Sequence, residues 1–339
     1  MTNQIVPLIG ASALQFWLDY SKRKNPESFA YKLCERTSLP DDYNVKLNEA
    51  KACLIAQELG LELPLCIMRP TVRHRTCTAF YHMYAEHRHL PLNSFIKLKP
   101  SQLPEALKGF DIYVASPEHC FLSFASKLSF PRLVVLGCEL CAHYVYDFKN
   151  PYLQSFRDPV TSSYQIADYL KEANHNKGYA RALRASKYIC DGSNSIMESK
   201  LASICVLPFA EGGYNLLKPE LNIKVFLKKN NDYFDRNYSM CDLVWKEERV
   251  IVEYDSTMTH LDKKQNIRDK KKANALSGSG YTLISLTADD VKNFHSVEEA
   301  FARIRRALGM RSRNIIMKKY EMLRNEVVQD LFSASWKWF

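Results

Sequence analysis

Three carboxylates lie close together in a stretch whose pattern predicts a β-hairpin. They are Asp242, Glu253 and Asp255. Residues 241–245 and 250–255 are both rich in β-branched and aromatic side chains, and a polar turn separates them. Acids that share one sheet face repel each other, and a divalent cation removes that penalty. Hard cations such as Mg²⁺ take carboxylate oxygens together with water and phosphate, so these residues suit metal-assisted phosphodiester hydrolysis.

The register of this hairpin decides whether the acids meet. When Trp245 faces Val250 across the turn, Asp242 lies directly opposite Glu253. Asp255 then projects on the same side as Glu253, because side chains alternate along a strand. The apolar run before Glu253 is typical of a strand buried on both faces, where acids are costly unless they are paired or bind metal. The alternative is an ordinary hairpin whose acids face water.

The elements around the hairpin follow an α/β order. The pattern predicts a helix from about 193–195, a strand at 223–227, the hairpin, a basic helix at 262–276, a strand at 281–286 and a helix that ends at Gly309. We expect Thr287 and Asp290 to cap that last helix, and a further amphipathic helix spans 317–331. Helix, three strands, helix, strand, helix is an α/β arrangement.

The first half of the chain has a different pattern, with helices and short strands. Helical patterns cover 13–18, 48–59 and 117–127, the last with a Ser116 cap, and strand patterns cover 65–68 and 111–115. We therefore expect a separate N-terminal α+β domain at 1–150, a connecting helical segment at 151–190, an α/β domain at 191–310 and a C-terminal helix at 311–339.

Composition limits the partners of the chain. The 339 residues are 46% hydrophobic and 25% charged, as in globular proteins, and carry a net charge of +10. That excess favours a polyanion such as nucleic acid, although a merely basic protein also fits. We expect no membrane partner, because no apolar run approaches the roughly 18 residues of a span. Ten cysteines in apolar contexts, without a secretory signal pattern, predict reduced thiols in a cytoplasmic protein.

The order and spacing of several segments resemble the PD-(D/E)XK nuclease superfamily. The closer resemblance is to the very-short-patch-repair-type endonuclease domain known as domain of unknown function 559. The matching segments are Met197-Glu198-Ser199-Lys200-Leu201, Gly212-Gly213-Tyr214, Cys241-Asp242-Leu243-Val244-Trp245, Val252-Glu253-Tyr254-Asp255, His260, Asp269 to Lys272 with Asn274-Ala275-Leu276, and Gly280-Tyr281. In the first half, segments 10–14 and 115–119 look like those that precede this domain in bacterial proteins of the abortive-infection antitoxin type.

The resemblance implies a fold and a set of site residues. It implies a restriction-endonuclease-like mixed sheet flanked by helices over 191–310. It assigns the metal to Asp242 and Glu253. Asp255, which stands where many members have Lys, or Glu198 completes the metal shell. Glu198 on the first helix matches a Glu that often completes the site, and His260 matches a candidate base or leaving-group acid. From the residues themselves, Glu198 is equally a first-turn acid that answers the helix dipole, and His260 an ordinary surface histidine.

These residues together predict a metal-dependent endonuclease, most of all for DNA, that acts in bacterial defence, repair or mobile-element biology. Mg²⁺ or Mn²⁺ would be the cofactor. Four cations spaced along the basic helix would grip phosphates or offset transition-state charge; they are Lys264, Arg268, Lys271 and Lys272. A solvated helix face is the alternative for these four. The rival functions are a non-cleaving DNA-binding regulator or antitoxin-like protein, and a structural interaction protein.

Two other groups of residues allow more than one interpretation. Cys138 and Cys141 form a Cys-x-x-Cys followed by His143, but structural zinc takes four ligands, so we favour two buried thiols over zinc. Basic and aromatic residues mix in Arg73-His74-Arg75, Tyr81-His82, His87 and His89. We favour a solvated loop there over a nucleic-acid surface. The sequence does not distinguish single from double strands and does not give the oligomeric state.

Overall fold

A computed structural model of the chain shows an α/β protein with mixed sheets. It describes residues 4–18, 36–40, 43, 45–69, 76–85, 90–91, 93–99, 103–145, 155–228, 237–255, 263–291, 293–311 and 318–333. The chain divides into two compact units. The first comprises Met1–Ser129, Tyr144–Lys187 and Phe339, and the second comprises Phe130–His143 and Tyr188–Trp338.

The helices and strands are numbered in chain order over the described residues. The helices are α1 (Gly10–Leu18), α2 (Glu49–Leu59), α3 (Pro117–Phe124), α4 (Phe130–Leu140), α5 (Ser163–Glu172), α6 (Tyr179–Ser186), α7 (Ile196–Val206), α8 (Lys263–Gly278), α9 (Phe294–Ala307) and α10 (Glu321–Phe332). The strands are β1 (Gln4–Leu8), β2 (Arg36–Thr37), β3 (Leu65–Arg69), β4 (Thr76–Cys77), β5 (Tyr81–Ala85), β6 (Phe95–Lys97), β7 (Phe110–Ala115), β8 (Tyr144–Val145), β9 (Ser155–Phe156), β10 (Glu220–Phe226), β11 (Tyr238–Trp245), β12 (Val250–Asp255) and β13 (Thr282–Thr287).

The units divide the chain between Lys187 and Tyr188, close to the boundary predicted at 190, but not at 150. Helix α4 belongs to the second unit, where it packs against α7. Helices α5 and α6 belong to the first unit, because α5 packs against α3, instead of forming a connector. The sequence pattern shows which segments are helical but not which core each helix covers, so the exchange of segments between units was not visible in it.

The first unit is built on a mixed sheet with the strand order β2-β6-β7-β1-β3-β5-β4 in its described part. Strands β1 and β7 are parallel, and β3 runs antiparallel to β1. Local signals start its helices as predicted. The Asn48 side chain accepts a hydrogen bond from the Lys51 amide at 2.9 Å, and the Ser116 hydroxyl accepts one from the His119 amide at 3.2 Å.

The second unit has the predicted order of one helix, three strands, helix, strand and helix. Its described strands form a sheet in the order β10-β11-β12-β13, with β12 and β13 parallel and the other pairs antiparallel. Helix α8 covers one part of this sheet through a core of apolar residues. They are Val225, Leu227, Cys241, Val244, Ile251, Ala275 and Leu276. Burial of these side chains fixes α8 against β11 and β12.

The start of α9 corrects one predicted cap. The Asp290 carboxylate accepts hydrogen bonds from the Thr287 amide and hydroxyl, both at 2.9 Å, but it closes only a short 3₁₀ turn. Helix α9 begins later, at Phe294, where the Asn293 side chain accepts from the Ser296 amide at 2.9 Å. The predicted bond between Thr287 and Asp290 forms, but the turn that it closes ends at Val291, before the helix begins.

None of the helices among the described residues combines the length and the apolar character that a bilayer crossing requires.

Candidate acidic site

The register of the β11–β12 hairpin is the one that the sequence predicts. Trp245 pairs with Val250, Val244 with Ile251, and Leu243 with Val252. The paired ladder ends there, one step before the two acids. Continuing the same register brings Asp242 opposite Glu253, so the acids occupy the position where the two strands stop exchanging backbone hydrogen bonds.

The Asp242 carboxylate crosses the gap where the ladder ends. Its Oδ2 accepts a hydrogen bond from the Tyr254 amide at 2.9 Å, which holds the side chain between the strands. Burial raises the pKa of Asp242 above the usual carboxyl value, while the Tyr254 amide and the charge on Lys272 oppose the rise. The strand pair therefore presents a half-buried, oriented carboxylate.

Glu253 shares the site with a lysine from α8. The Lys272 ammonium donates to Glu253 Oε2 at 2.7 Å, and the side chains of the lysine and the acid are 25% and 19% exposed. Burial and the negative charge on Asp242 raise the pKa of Glu253, and Lys272 opposes both effects. The other oxygen, Oε1, is buried and has no hydrogen-bond partner in the described part of the chain.

Lys272 is held as a cation by the two acids. Burial alone lowers the pKa of a lysine, but the charges on Glu253 and Asp242 outweigh it here, and the pKa of Lys272 is raised. The Cys241 thiol lies beside them. Its pKa is raised, whereas a nucleophilic cysteine needs a lowered pKa. Burial and the charge on Glu253 raise its pKa to about 12, so the thiol remains protonated at neutral pH.

Glu198 at the start of α7 is a first-turn acid of that helix, and it also lies near Asp242. Its carboxylate accepts from the Ser195 hydroxyl at 2.9 Å and the Asn194 amide at 2.8 Å, while Ser195 accepts from the Glu198 amide at 3.2 Å. This is a capping box. The Asn222 side chain also donates to it. Burial raises the pKa of Glu198, and the charge on Asp242 adds to the rise, so the two carboxylates lie near each other.

The remaining predicted residues are placed less completely. Asp255 is half-buried at the end of β12, where it pairs with Thr287. Lys271 is exposed, whereas Lys272 is half-buried in the site, so these neighbours do not share one helix face. His260 lies outside the described residues, and so do the side chains of Lys264 and Arg268.

Sequence reasoning missed the contact between Lys272 and Glu253, although a signal was available. Lys272 lies three and four positions before Ala275 and Leu276, which pack on the sheet. Side chains at that spacing share a helix face, so Lys272 had to point toward the strands and not toward solvent. Asn222 was missed as well, and its left-handed backbone, with φ of 49°, has no sequence signal beyond the tolerance of Asn for that region.

The donor set suits a divalent cation with few protein ligands. The described residues contain no group of three or more His, Cys, Asp or Glu side chains arranged around one point. Mg²⁺ needs only one or two carboxylates, because it keeps several waters and binds substrate phosphates. Asp242 and Glu253 supply those carboxylates, and the buried Oε1 of Glu253 is an acceptor that lacks a donor.

Two further predicted groups lie elsewhere. Cys138 and Cys141 are buried and not in a disulfide, and the Cys138 sulfur accepts from the Cys190 amide at 3.2 Å. The hydrogen bond with Cys190 lowers the pKa of Cys138 despite burial. Of the basic and aromatic cluster, Tyr81 and His82 lie on β5, and 73–75, 87 and 89 fall outside the described residues.

Comparison with protein-family models, curated proteins and solved structures found no match to this chain. The chemistry of the site therefore has to be argued from its own residues.

Proposed function

We propose that the chain is a metal-dependent endonuclease that hydrolyses phosphodiester bonds, most of all in DNA. The observation that carries this proposal is the meeting of two half-buried acids, Asp242 and Glu253, beside Lys272, where the β11–β12 pairing ends. Two carboxylates with raised pKa values and one cation leave an excess of negative charge when both acids are ionised. Mg²⁺ or Mn²⁺ balances that charge. A restriction-endonuclease-like arrangement of the second unit accords with the order of its elements.

Each side chain has a distinct part in this proposal. Asp242, fixed by the Tyr254 amide, and Glu253, through Oε1, hold the divalent ion. When bound, the ion supplies electrophilic polarisation of the scissile phosphate. Lys272 orients Glu253 and offers positive charge to the phosphate oxygens as negative charge develops on them. Glu198 stands close to Asp242 and adds to the negative potential that attracts the cation.

The rival function is a DNA-binding regulator that does not cleave. The same ion pair between Lys272 and Glu253 favours it, since a lysine that neutralises one acid also serves a purely structural role. The two functions differ in what a metal does. A regulator keeps its affinity for DNA when metal is removed and has no use for an ion near Asp242, whereas the nuclease loses its activity.

The test replaces each acid with its amide of the same shape. Asp242→Asn and Glu253→Gln remove one charge each, and plasmid nicking is followed with Mg²⁺ or Mn²⁺ and with a chelator. We expect nicking to fall by about 100-fold or more in each variant. Glu220→Gln is the matched control, because Glu220 lies on the same sheet but pairs with Lys246 at the surface. Nicking that survives in both variants at the control rate would rule the proposal out.

A further inference from the structure

The edge of the second-unit sheet exposes a strip of aromatic, apolar and cationic side chains. Strand β10 lies at one edge of this sheet among the described strands. Two register pairs, Lys224 with Met240 and Phe226 with Tyr238, place these four side chains together on one face. Phe226 is 70% exposed and Met240 is 44% exposed. We call these four residues the aromatic strip.

The aromatic strip lies on the face of the sheet opposite the hydrophobic core. Val225 and Cys241, which alternate with the strip residues, point to the other face and belong to the core beneath α8. The strip therefore presents its apolar surface to solvent while the opposite face of the same strands is buried. Adjacent exposed apolar side chains of this kind are a candidate binding surface.

The rings of the strip are ordered against each other. The centroids of Phe226 and Tyr238 are 6.5 Å apart, and the planes are inclined by 61°. The Lys224 ammonium lies 4.9 Å from the centre of the Tyr238 ring, a cation–π contact. The arrangement combines flat π surfaces with a positive charge, which are the two features that bind a nucleotide: one for the base and one for the phosphate.

The strip leads directly to the acidic site. Along β11, Tyr238, Met240 and Asp242 are partly exposed, whereas Ser239, Cys241 and Leu243 between them are buried. Asp242 lies two positions beyond Met240, about 7 Å farther along β11, and its carboxylate lies in the gap between β11 and β12. A chain of nucleotides that lies along β11 would meet the rings first and the Asp242 carboxylate next.

We propose that the aromatic strip is a stacking platform for unpaired bases, and that the acidic site acts on single-stranded or locally unpaired nucleic acid. This rests on the proposed nuclease function. In a duplex, the faces of the bases are covered by their neighbours, so only unpaired bases can stack on Phe226 and Tyr238. Stacking of this kind tolerates every base, because each base has a π face.

A polyanion fits this edge better than an added strand of another protein. The strip carries Lys224, and the whole chain has a net charge of +10. Lysine on an edge strand discourages pairing with a further strand, and the left-handed residue Asn222 interrupts the regular backbone of β10. Both features leave side-chain stacking available while they disfavour extension of the sheet.

The test measures binding without chemistry. Labelled single-stranded and duplex DNA of the same sequence are titrated with the full chain in the presence of a chelator, and anisotropy is recorded. We expect the wild type to bind the single strand more tightly than the duplex. Phe226→Ala and Tyr238→Ala should weaken single-strand binding by roughly five- to 100-fold and leave duplex binding unchanged, because each removes one stacking surface. Phe226→Trp should retain the affinity.

Matched controls come from exposed side chains far from the strip in sequence. Tyr164, 74% exposed on α5, and Met322, 80% exposed on α10, are changed to alanine and should have no effect. Equal affinity of the wild type for both DNA forms, or equal single-strand binding by the strip variants, overturns the platform. So does a wild-type dimer, measured by light scattering, that Phe226→Ala converts to a monomer, since a second copy would then cover the strip.

The outcomes separate the two proposals. If Asp242→Asn nicks like the wild type while the strip variants lose single-strand binding, the platform stands and the nuclease function fails. If Asp242→Asn is inactive while the strip variants bind the single strand like the wild type, the nuclease function stands and the platform fails.

Discussion

A buried glutamate in each unit contacts a cation, yet the two glutamates have different surroundings. In the first unit, the Arg36 guanidinium lies 2.9 Å from Glu118, and Thr161 also donates to it. In the second, Lys272 lies 2.7 Å from Glu253. Each glutamate has one buried oxygen without a hydrogen-bond partner among the described residues. Glu118 is fully enclosed, whereas Glu253 is 19% exposed and has a second acid, Asp242, beside it.

The difference separates an enclosed ion pair from the pair at the proposed site. Around Glu118, a cation and a hydroxyl face one negative charge, so the charges balance inside the fold. Around Glu253, one lysine serves two acids, and the charge on Asp242 raises the pKa of Glu253. A surplus of like charge that remains partly open to solvent is costly to keep unless a ligand uses it. On our proposal, the buried acid of the first unit contributes to stability, whereas the two acids of the second unit bind an external cation.

The largest expected effect is a loss of stability when the ion pair between Arg36 and Glu118 is broken. Glu118→Gln removes the buried negative charge that faces Arg36 in the first unit, and we expect a loss of about 3 kcal/mol in the free energy of unfolding. Glu253→Gln should cost clearly less, because it also removes repulsion from Asp242. Urea denaturation of both variants measures the difference. Equal losses would show that the two glutamates are both structural. Nicking by the folded fraction of Glu118→Gln should match the wild type.

The second effect concerns the lysine that the acids share. Lys272→Gln removes the positive charge beside Glu253, and we expect nicking to fall by about 10- to 100-fold. Metal affinity should be retained, because the lysine no longer competes for Glu253 Oε2. Lys271→Gln is the control, since Lys271 is the exposed neighbour on the same helix. A loss of nicking that is equal in both variants would point to general phosphate attraction and not to a role in the site.

The sequence was informative wherever a contact depends on neighbours along the chain. The alternation on both sides of the 246–249 turn predicted the pairing of Trp245 with Val250, and Asn48 and Ser116 marked their helix starts. These features follow from local geometry: strand period, turn length and the need to satisfy the first amides of a helix. The meeting of Asp242 and Glu253 was inferred from the same local register.

Contacts between distant segments were beyond the pattern. Arg36 and Glu118 are 82 positions apart, and nothing in either segment selects the other. Lys272 reaches Glu253 because α8 packs on the sheet, and the basic run of that helix favoured a solvated or phosphate-binding face instead. The inclusion of α4 in the second unit was not predicted for the same reason. Packing between distant segments decides which face of a helix is buried, and the local sequence pattern does not determine that choice.

The third effect is a dependence of stability on pH. Burial raises the native pKa of Asp242, Glu253 and Glu198 above the unfolded values near 4. The folded protein then binds more protons than the unfolded chain above that pH, so stability falls as the pH rises through this range. Mg²⁺ should offset the fall, giving a larger increase in Tm at pH 8 than at pH 5. The double variant Asp242→Asn/Glu253→Gln should lose this Mg²⁺ effect; a shift that persists in it would place the ion elsewhere.

The smallest expected effect is that of replacing Glu198, whose surroundings combine features of Glu118 and of Glu253. Glu198 is held by its own cap, like a structural residue, but it also feels the charge on Asp242, like a site residue. Glu198→Gln keeps the capping box, since glutamine serves in it as well, and removes only the charge. We expect unfolding free energy to change by less than about 1 kcal/mol. The Mg²⁺ concentration for half-maximal nicking should rise a few-fold, because a weaker negative potential attracts the cation less. A loss as large as that of Asp242→Asn would instead make Glu198 a direct ligand.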